Sequence, residues 1–201
     1  MAHLRCRVVD GCGHDCLYDE GGPVVATFQS AAAKTMKTNN VVQELATKLR
    51  SKEGTQREQA RKALIRVGKP AVASILELLS DQDQHVRWEA CKVLGSIKDP
   101  TSAVPLVNAL SDDSIEIRWL AAEGLIALGN KSVVPLLQAL ERHFDSVLLR
   151  QGAHHVLHNL ERQKKLKSDT LAVLDALRGL GPESPIALAA HRALQSLRKT
   201  G

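Results

Sequence analysis

The sequence predicts an all-α fold, a right-handed α–α superhelix built from about four to five helical-hairpin repeats. The first observation behind this prediction is that the segment Val86 to Gly95 recurs upstream and downstream of itself, and that every copy keeps an alanine and a leucine. The second is the spacing of the copies, because their anchors are 30, 31, 32 and 37 residues apart at Arg57, Arg87, Arg118, Arg150 and Ala187. A near-constant period of this size is typical of solenoids. The third is an aromatic content of only 2%, which favours short helices packed closely through Leu, Val, Ile and Ala.

Each repeat is predicted to contain two helices. In the first full unit these cover about residues 55–67 and 70–80, and the break at Gly68-Lys69-Pro70 suits a proline in an opening helical turn. The following units break at Lys98-Asp99-Pro100 and Gly129-Asn130. A helix that begins after Asn39 and Asn40 is expected to cover the first repeat. At the other end we expect a second helix of the fourth unit over about 168–179 and an unpaired capping helix over about 184–198.

Residues 1–38 share neither the repeat nor a sustained helical period, so we expect a poorly ordered N-terminal extension followed by a solenoid over residues 39–201. This extension contains Cys6, Cys12, His14 and Cys16, whose side chains are of the types that bind zinc. The paired Cys-x2-Cys spacing of a zinc knuckle is missing. The sequence therefore predicts neither a metal site nor a cofactor, and these four residues remain only candidates.

The turns between units contain aspartates close to the recurrent arginines. Asp81 and Asp83 precede Arg87, Asp112 and Asp113 precede Arg118, and all four can cap the helix that follows them. Arg150 is the equivalent arginine of the next copy. We therefore predict a ladder of Asp–Arg contacts along the stack, with a structural role. Cys91 is predicted to be a small packed side chain, not a nucleophile.

The charge is balanced in most of the chain and basic near its end. Residues 1–142 carry 18 basic and 17 acidic side chains, whereas residues 143–201 carry 9 and 5. The excess includes Arg162, Lys164, Lys165 and Lys167, which allows nucleic-acid binding as one alternative function, although the balanced central array does not favour it. No run of about 18 apolar residues occurs, and acidic residues interrupt the first thirty positions. We therefore predict a soluble cytoplasmic protein without a membrane partner.

The repeat pattern resembles that of a known family. The pattern Val-Arg-x-x-Ala-Ala-x-Ala-Leu-Gly is carried by Val86 to Gly95, with Cys91 and Val93 at two of the alanine positions. The following Val-Pro-x-Leu helix corresponds to Val104 to Leu106, and the Leu-Ser-Asp-x-Asp turn to Leu79 to Asp83. Together they resemble the short HEAT-like repeats named after phycobilisome lyases, over about residues 55–198. This resemblance implies the superhelical fold and says little about function, because one scaffold hosts many activities.

Two branches of this family carry specific activities. One is deoxyhypusine hydroxylase, which looks like an array of the same helices. Resemblance to it implies a di-iron centre held by His-Glu pairs that directly follow the Val-Arg of the repeats. The equivalent positions here are Trp88-Glu89, Trp119-Leu120 and Gln151-Gly152, so no such pair is present. The other is the bilin lyases, and resemblance to them implies that the repeat array clamps a phycobiliprotein subunit. Their repeats have no catalytic motif that could be assigned to residues of this chain. No catalytic residue is therefore predicted.

The resemblance implies that the variable positions of the repeat line a concave groove. Both tryptophans of the chain occupy the same register in adjacent repeats, which predicts one apolar surface, or alternatively two indoles that cover gaps between repeats. We predict a non-catalytic scaffold that binds another protein, with a bilin lyase or phycobilisome-handling subunit as the alternative and a phycobiliprotein as its partner. The predicted groove residues are Trp88, Glu89, Lys92, Trp119, Leu120, Glu123, Gln151, His155 and Arg192.

Overall fold

The structure is a computed structural model that describes the backbone of residues 23–179 and 184–199, and the side chains of residues 36–179 and 185–199. The chain divides into two compact units, Met1–Lys37 and Thr38–Gly201. The repeats lie in the second unit. The candidate metal ligands Cys6, Cys12, His14 and Cys16 lie outside the described residues, so the zinc candidate and the poorly ordered extension stay predictions.

The described residues form ten α-helices joined by short turns. Their bounds are α1 Pro23–Lys48, α2 Gly54–Val67, α3 Val72–Glu77, α4 Gln84–Ile97, α5 Ala103–Ala109, α6 Ile115–Leu128, α7 Val133–Arg142, α8 Val147–Arg162, α9 Ser168–Arg178 and α10 Ser184–Lys199. Single 3₁₀ turns precede α3, α5 and α7, where the sequence predicted breaks. The predicted α solenoid is confirmed. Helix α1 begins at Pro23 and not after Asn40, so the predicted start of this helix was wrong.

The first helices of the repeats stack in chain order, α2 on α4, α4 on α6 and α6 on α8, and the second helices α5 and α7 pack beside them. The leucines and alanines that recur in every copy lie inside this stack. Leu64, Leu94, Leu125 and Leu157 are each 0% exposed. The small alanine side chains let neighbouring helices approach closely. The alanine and leucine positions that recur in the sequence are therefore the positions that form the core.

The last helix departs from the predicted arrangement. We expected α9 to pair with α8 as its second helix and α10 to lack a partner. Helix α9 does pack on α8, but α10 packs against both α7 and α9, and it buries Ile186, Ala190 and Leu194. The Nδ1 atom of its His191 lies 2.6 Å from Glu141 Oε1 at the end of α7. The predicted unpaired cap was therefore wrong, because an apolar face this wide must be covered.

The recurrent arginines stabilise the turns between repeats. In Arg57, Arg87 and Arg118 the Nη1 atom donates to the two backbone carbonyls six and five residues earlier, at distances of 2.7–3.1 Å. Arg87 also donates to both carboxylate oxygens of Asp112, at 2.8 and 3.1 Å. Arg50, which follows α1 and lies outside the repeat register, forms an ion pair with Asp81. The Arg87–Asp112 pair is a predicted Asp–Arg contact, whereas the hydrogen bonds of Arg118 go to the backbone carbonyls of Asp112 and Asp113. The predicted ladder is therefore seen at Arg87, and at Arg150 it stays a prediction.

One stretch of the described chain, Ile115–Arg142, is apolar enough by composition to cross a membrane, with a mean hydropathy of 1.3. In the structure this stretch is two helices, because α6 ends at Leu128 and the chain turns at Gly129, whose φ is 63°. More than half of its most apolar window is buried inside the fold. Its apolar character is thus explained by the packing of one helical hairpin.

Gly95 marks the closest approach of α4 and α6. A Cβ atom at Gly95 would lie 3.2 Å from the Cα atom of Gly124, so the neighbour that must move is backbone. We expect Gly95→Ala to lower the free energy of unfolding by about 1–2 kcal/mol, although alanine favours a helix by about 1 kcal/mol over glycine. Urea denaturation followed by circular dichroism measures this change.

The matched control is Gly54→Ala at the start of α2. The nearest atom to a Cβ there is the flexible Nη2 of Arg57 at 3.7 Å, so no loss of stability is expected. Equal responses of the two variants would contradict the close-approach explanation.

Candidate functional site

All the predicted groove residues except Arg192 fall on α4, α6 and α8, whose stacked outer surface we call the groove face. The position directly after each arginine is exposed or partly exposed, as in Trp119 and Gln151. The next position turns inward, where Glu89 is buried and Gly152 is partly buried. The groove face is therefore narrower than the sequence predicted, because one of its three variable positions packs between neighbouring repeats.

Trp119 is the most exposed aromatic side chain of the groove face. Its side chain remains 56% exposed, yet its ring is packed on the imidazole of His155 with the ring centroids 4.7 Å apart at an angle of 45°. The Nε2 atom of His155 lies 3.3 Å from Glu123 Oε1. Three predicted residues from α6 and α8 are thus brought into one cluster.

A cavity of about 200 Å³ opens beside this cluster, between α6 and α8. Its floor is the buried Leu110, and its walls include Ile115, Leu148 and Gln151. The cavity reaches Leu110 because Gly152 has no side chain, since a Cβ there would lie 2.8 Å from Leu110 Cδ2. We call Ile115, Trp119, Leu148, Gln151 and His155 the Trp119 cluster.

Sequence reasoning missed two apolar members of this cluster. Ile115 is 69% exposed in the first turn of α6, outside the aligned repeat segment, and Leu148 occupies the equivalent turn of α8. The available signal was an aliphatic residue in the turns before Arg118 and Arg150. The sequence alone does not show that these two turns are adjacent in space, so it did not indicate that their aliphatic residues share one surface.

Trp88 differs from Trp119 although it has the same position in the repeat. It is partly buried against the core. The Cζ atom of Arg61 lies 5.6 Å from its ring centroid and the Nζ atom of Lys92 lies 4.8 Å from it. Trp88 therefore contacts α2 on one side of the stack, whereas Trp119 contacts α8 on the other. In the described part of the chain no ring contact joins the two indoles.

Glu89 does not line the groove face as predicted. It is 4% exposed, and its Oε2 atom accepts a hydrogen bond of 2.6 Å from Arg61 Nη1. The Nε atom of Arg57 lies 3.7 Å from the other carboxylate oxygen. A buried carboxylate held by two arginines joins α2 to α4 and is not available to a partner. The signal that sequence reasoning missed was Arg61 in the preceding copy.

The remaining predicted residues are spread over different surroundings. Leu120 is partly buried against the core, and Lys92 lies over Trp88. Arg192 lies on α10 beside α9. It is away from the stack of α2, α4, α6 and α8, because α10 packs on α7. Arg192 is thus separated from the groove face, and its prediction as a groove residue is corrected by the placement of α10.

The side chains do not fit the iron centre that the hydroxylase resemblance implies. Trp88-Glu89, Trp119-Leu120 and Gln151-Gly152 supply a single carboxylate, and Glu89 is already bound by arginines. Within the residues whose side chains are described, no three His, Cys, Asp or Glu side chains are grouped to hold a metal ion. No step is therefore assigned to iron in this chain.

Cys91 is packed inside the fold, as the sequence predicted, and His154 is partly buried. Burial raises the pKa of the Cys91 thiol to about 12, so it stays protonated and is not a nucleophile at neutral pH. The His154 ring stacks on His158 with centroids 5.9 Å apart. Burial, followed by the positive charge of nearby side chains, lowers the pKa of His154. Both observations agree with packing roles.

Comparison with known proteins agrees with the fold. Residues 42–114 match the family of HEAT repeats, which confirms the predicted resemblance. Deoxyhypusine hydroxylase of Candida albicans is 29% identical over 123 residues, which cover 59% of this chain and 36% of that protein. Phycocyanobilin lyase subunit alpha of a Picosynechococcus species is 27% identical over 125 residues, which cover 58% of this chain and 43% of that protein. The chain thus spans less than half the length of these relatives.

Among solved structures, the crystal structure of an engineered protein matches with 20% identity and a TM-score of 0.40, over 80% of each chain.

Proposed function

We propose that this chain is a non-catalytic scaffold that binds another protein through the Trp119 cluster. The observation that carries the proposal is that Trp119 is 56% exposed while its ring is held in place by His155. An indole that is already ordered loses little conformational entropy when a partner covers it, which is why tryptophan is enriched at binding hot spots.

The size of the cluster supports a specific contact. Burying roughly 100 Å² of indole surface contributes about 2–3 kcal/mol at about 25 cal/mol per Å². Ile115 is 69% exposed beside it and adds further apolar area. Glu123 and Gln151 surround this apolar centre with polar groups, the arrangement of a small interface with a polar rim.

The similarity to HEAT repeats supports a scaffold, because such arrays present extended surfaces for recognition. The proposal includes the sequence-based expectations that the protein acts in the cytoplasm and needs no cofactor. The groove face offers no set of nucleophile, base and oxyanion donors among the described side chains. Recognition of a partner is the activity that its geometry supports best.

A second candidate function is the handling of phycobiliproteins. It is favoured by the similarity to phycocyanobilin lyase subunit alpha, whose matched region covers 58% of this chain. In this candidate a phycobiliprotein subunit occupies the groove face and contacts the Trp119 cluster. A phycobiliprotein is therefore the first partner to test.

The test compares three forms of the protein as baits for proteins of the native cytoplasm: the wild type, Trp119→Ala and Leu188→Ala. Leu188 is an equally exposed apolar residue, at 50%, on α10 and away from the groove face. We expect Trp119→Ala to weaken capture of the partner about 30-fold, because about 2 kcal/mol of contact energy is lost. Leu188→Ala should capture the partner as the wild type does.

A titration of purified phycobiliprotein against the same three forms separates the two candidates. Binding that Trp119→Ala weakens and Leu188→Ala preserves supports the phycobiliprotein candidate, and no binding to the wild type removes it. Capture of the same proteins by all three baits, with unchanged melting temperatures, would contradict the role of the Trp119 cluster itself.

A further inference from the structure

We propose a second contact site, formed by the α6–α7 turn, the α8–α9 linker and α10. It binds an acidic peptide segment and takes up one large aliphatic side chain of that peptide. This site is separate from the Trp119 cluster and does not depend on it. It uses the basic residues near the end of the chain, which the proposed scaffold function leaves without a role.

The α8–α9 linker has a defined conformation. Lys164 adopts a left-handed conformation with φ of 56°, its amide donates to the Glu161 carbonyl at 2.8 Å, and the amide of Lys165 donates to the Leu160 carbonyl at 2.9 Å. These two hydrogen bonds are those of a Schellman motif, which ends a helix and sets the direction of the following chain. Leu166 then packs against the core. Its neighbours Lys165 and Lys167 consequently line a cavity.

This cavity has a volume of about 200 Å³. Its deepest residues are Val133, which is 6% exposed, and Thr170, which is 1% exposed. Val134 is 40% exposed and lies at the entrance together with Lys165. Sites for drug-sized ligands measure roughly 300–1,000 Å³, so this cavity is suited to a single aliphatic side chain.

The entrance of the cavity is positively charged, and no acidic side chain is among the residues that line it. Arg162, Lys164 and Lys165 are exposed, and none of them forms an ion pair with any residue whose side chain the structure describes. The stem of Lys165 lies over the α6–α7 turn, with its Cδ atom 3.8 Å from the position of a Cβ at Gly129. Lys131 adds another exposed cation to that turn.

These charges favour a partner segment rich in aspartate and glutamate. The apolar cavity between them favours a peptide over a nucleic acid, because the residues that line it include no aromatic side chain on which a base could stack. One apolar anchor beside Lys165 and Lys167 is also too compact to follow a phosphate backbone. The acidic peptide is therefore the occupant to which the geometry points.

The test uses the full chain and a fluorescein-labelled peptide of aspartates and glutamates with one central leucine, followed by fluorescence anisotropy. A second peptide has glycine in place of the leucine, and a single-stranded DNA oligonucleotide of equal charge is the third probe. We expect the leucine peptide to bind about tenfold more tightly than the glycine peptide, because the leucine enters the cavity. We expect it also to bind more tightly than the DNA.

Three variants locate the site. The charge reversal Lys165→Glu with Lys167→Glu should weaken binding of the leucine peptide at least about tenfold. Val134→Trp should close the entrance and remove the preference for leucine over glycine. Lys164→Gly removes a charge while relieving the left-handed strain, so it should weaken binding a few-fold in a protein that melts no lower than the wild type.

The matched control reverses two other exposed cations, Lys52→Glu with Arg66→Glu, and should bind the leucine peptide within about twofold of the wild type. Trp119→Ala should leave this binding unchanged, which separates failure of this site from failure of the Trp119 cluster. Equal binding of both peptides, tighter binding of the DNA, no binding of the leucine peptide, or an equal loss in the control variant would each overturn the proposal.

Discussion

Replacing Arg87 by alanine is expected to lower the free energy of unfolding by about 3 kcal/mol. Its guanidinium makes two hydrogen bonds to Asp112 and two to the backbone carbonyls of Asp81 and Gln82. The side chains of Arg87 and Asp112 are only 16% and 11% exposed, so water cannot fully replace these bonds. Urea denaturation measures the change. Arg66→Ala removes an exposed arginine of α2 and should cost less than about 0.5 kcal/mol.

The same ion pair predicts how this difference depends on pH. Burial alone would raise the pKa of the Asp112 carboxyl, but the hydrogen bonds from Arg87 and the Ser114 amide, with the nearby arginine charges, lower it overall. A lowered pKa in the folded state means that the pair stabilises the protein above about pH 4 and that this stabilisation is lost as the pH falls further. The gap between wild type and Arg87→Ala should therefore narrow in acid. A gap that is constant down to pH 2 would contradict this assignment.

Trp88→Ala is expected to lower the free energy of unfolding by about 3 kcal/mol, whereas Trp119→Ala should cost less than about 1 kcal/mol. Trp88 packs against the core between Arg61 and Lys92, and its removal leaves a gap between α2 and α4. Trp119 is 56% exposed, and its removal leaves only an open surface. Thermal and urea denaturation of the two variants, side by side, measure the difference.

Trp88→Phe is the conservative control, because it keeps an aromatic face for Arg61 and should recover more than half of the loss. If the two alanine variants are equally destabilised, the distinction between a structural and a binding tryptophan is wrong. If neither is destabilised, both indoles belong to the binding surface, as the repeat register alone suggested.

The two tryptophans show what the repeat pattern can predict about a side chain and what it cannot. Their common register predicted a common role, yet Trp88 has Arg61 in the preceding repeat as a neighbour and Trp119 has His155 in the following one. Glu89 shows the same limit, because the arginine that binds it lies in another copy. Position within a repeat indicates which way a side chain points, but the neighbouring repeat decides whether it is covered.

The Trp119 cluster and the basic cavity at the α8–α9 linker would give one scaffold two contacts. Their mutations are designed to be independent, since they change different helices and different chemistry. Trp119→Ala tests an apolar contact on α6, and the reversal of Lys165 and Lys167 tests charge beside α7 and α10. A partner whose binding is weakened both by Trp119→Ala and by the reversal of Lys165 and Lys167 would contact both sites.

The sequence by itself determined the periodic part of this protein. Leucine and alanine at recurring positions specified which helix faces form the core, and Arg57, Arg87 and Arg118 specified the turns, because the same contacts recur from one copy to the next. Only the tertiary structure decided what repeats do not share. It showed that α10 covers α7, that Glu89 is buried, and that Ile115 and Leu148 complete the cavity beside Trp119. These contacts join residues on different helices whose distances no period determines.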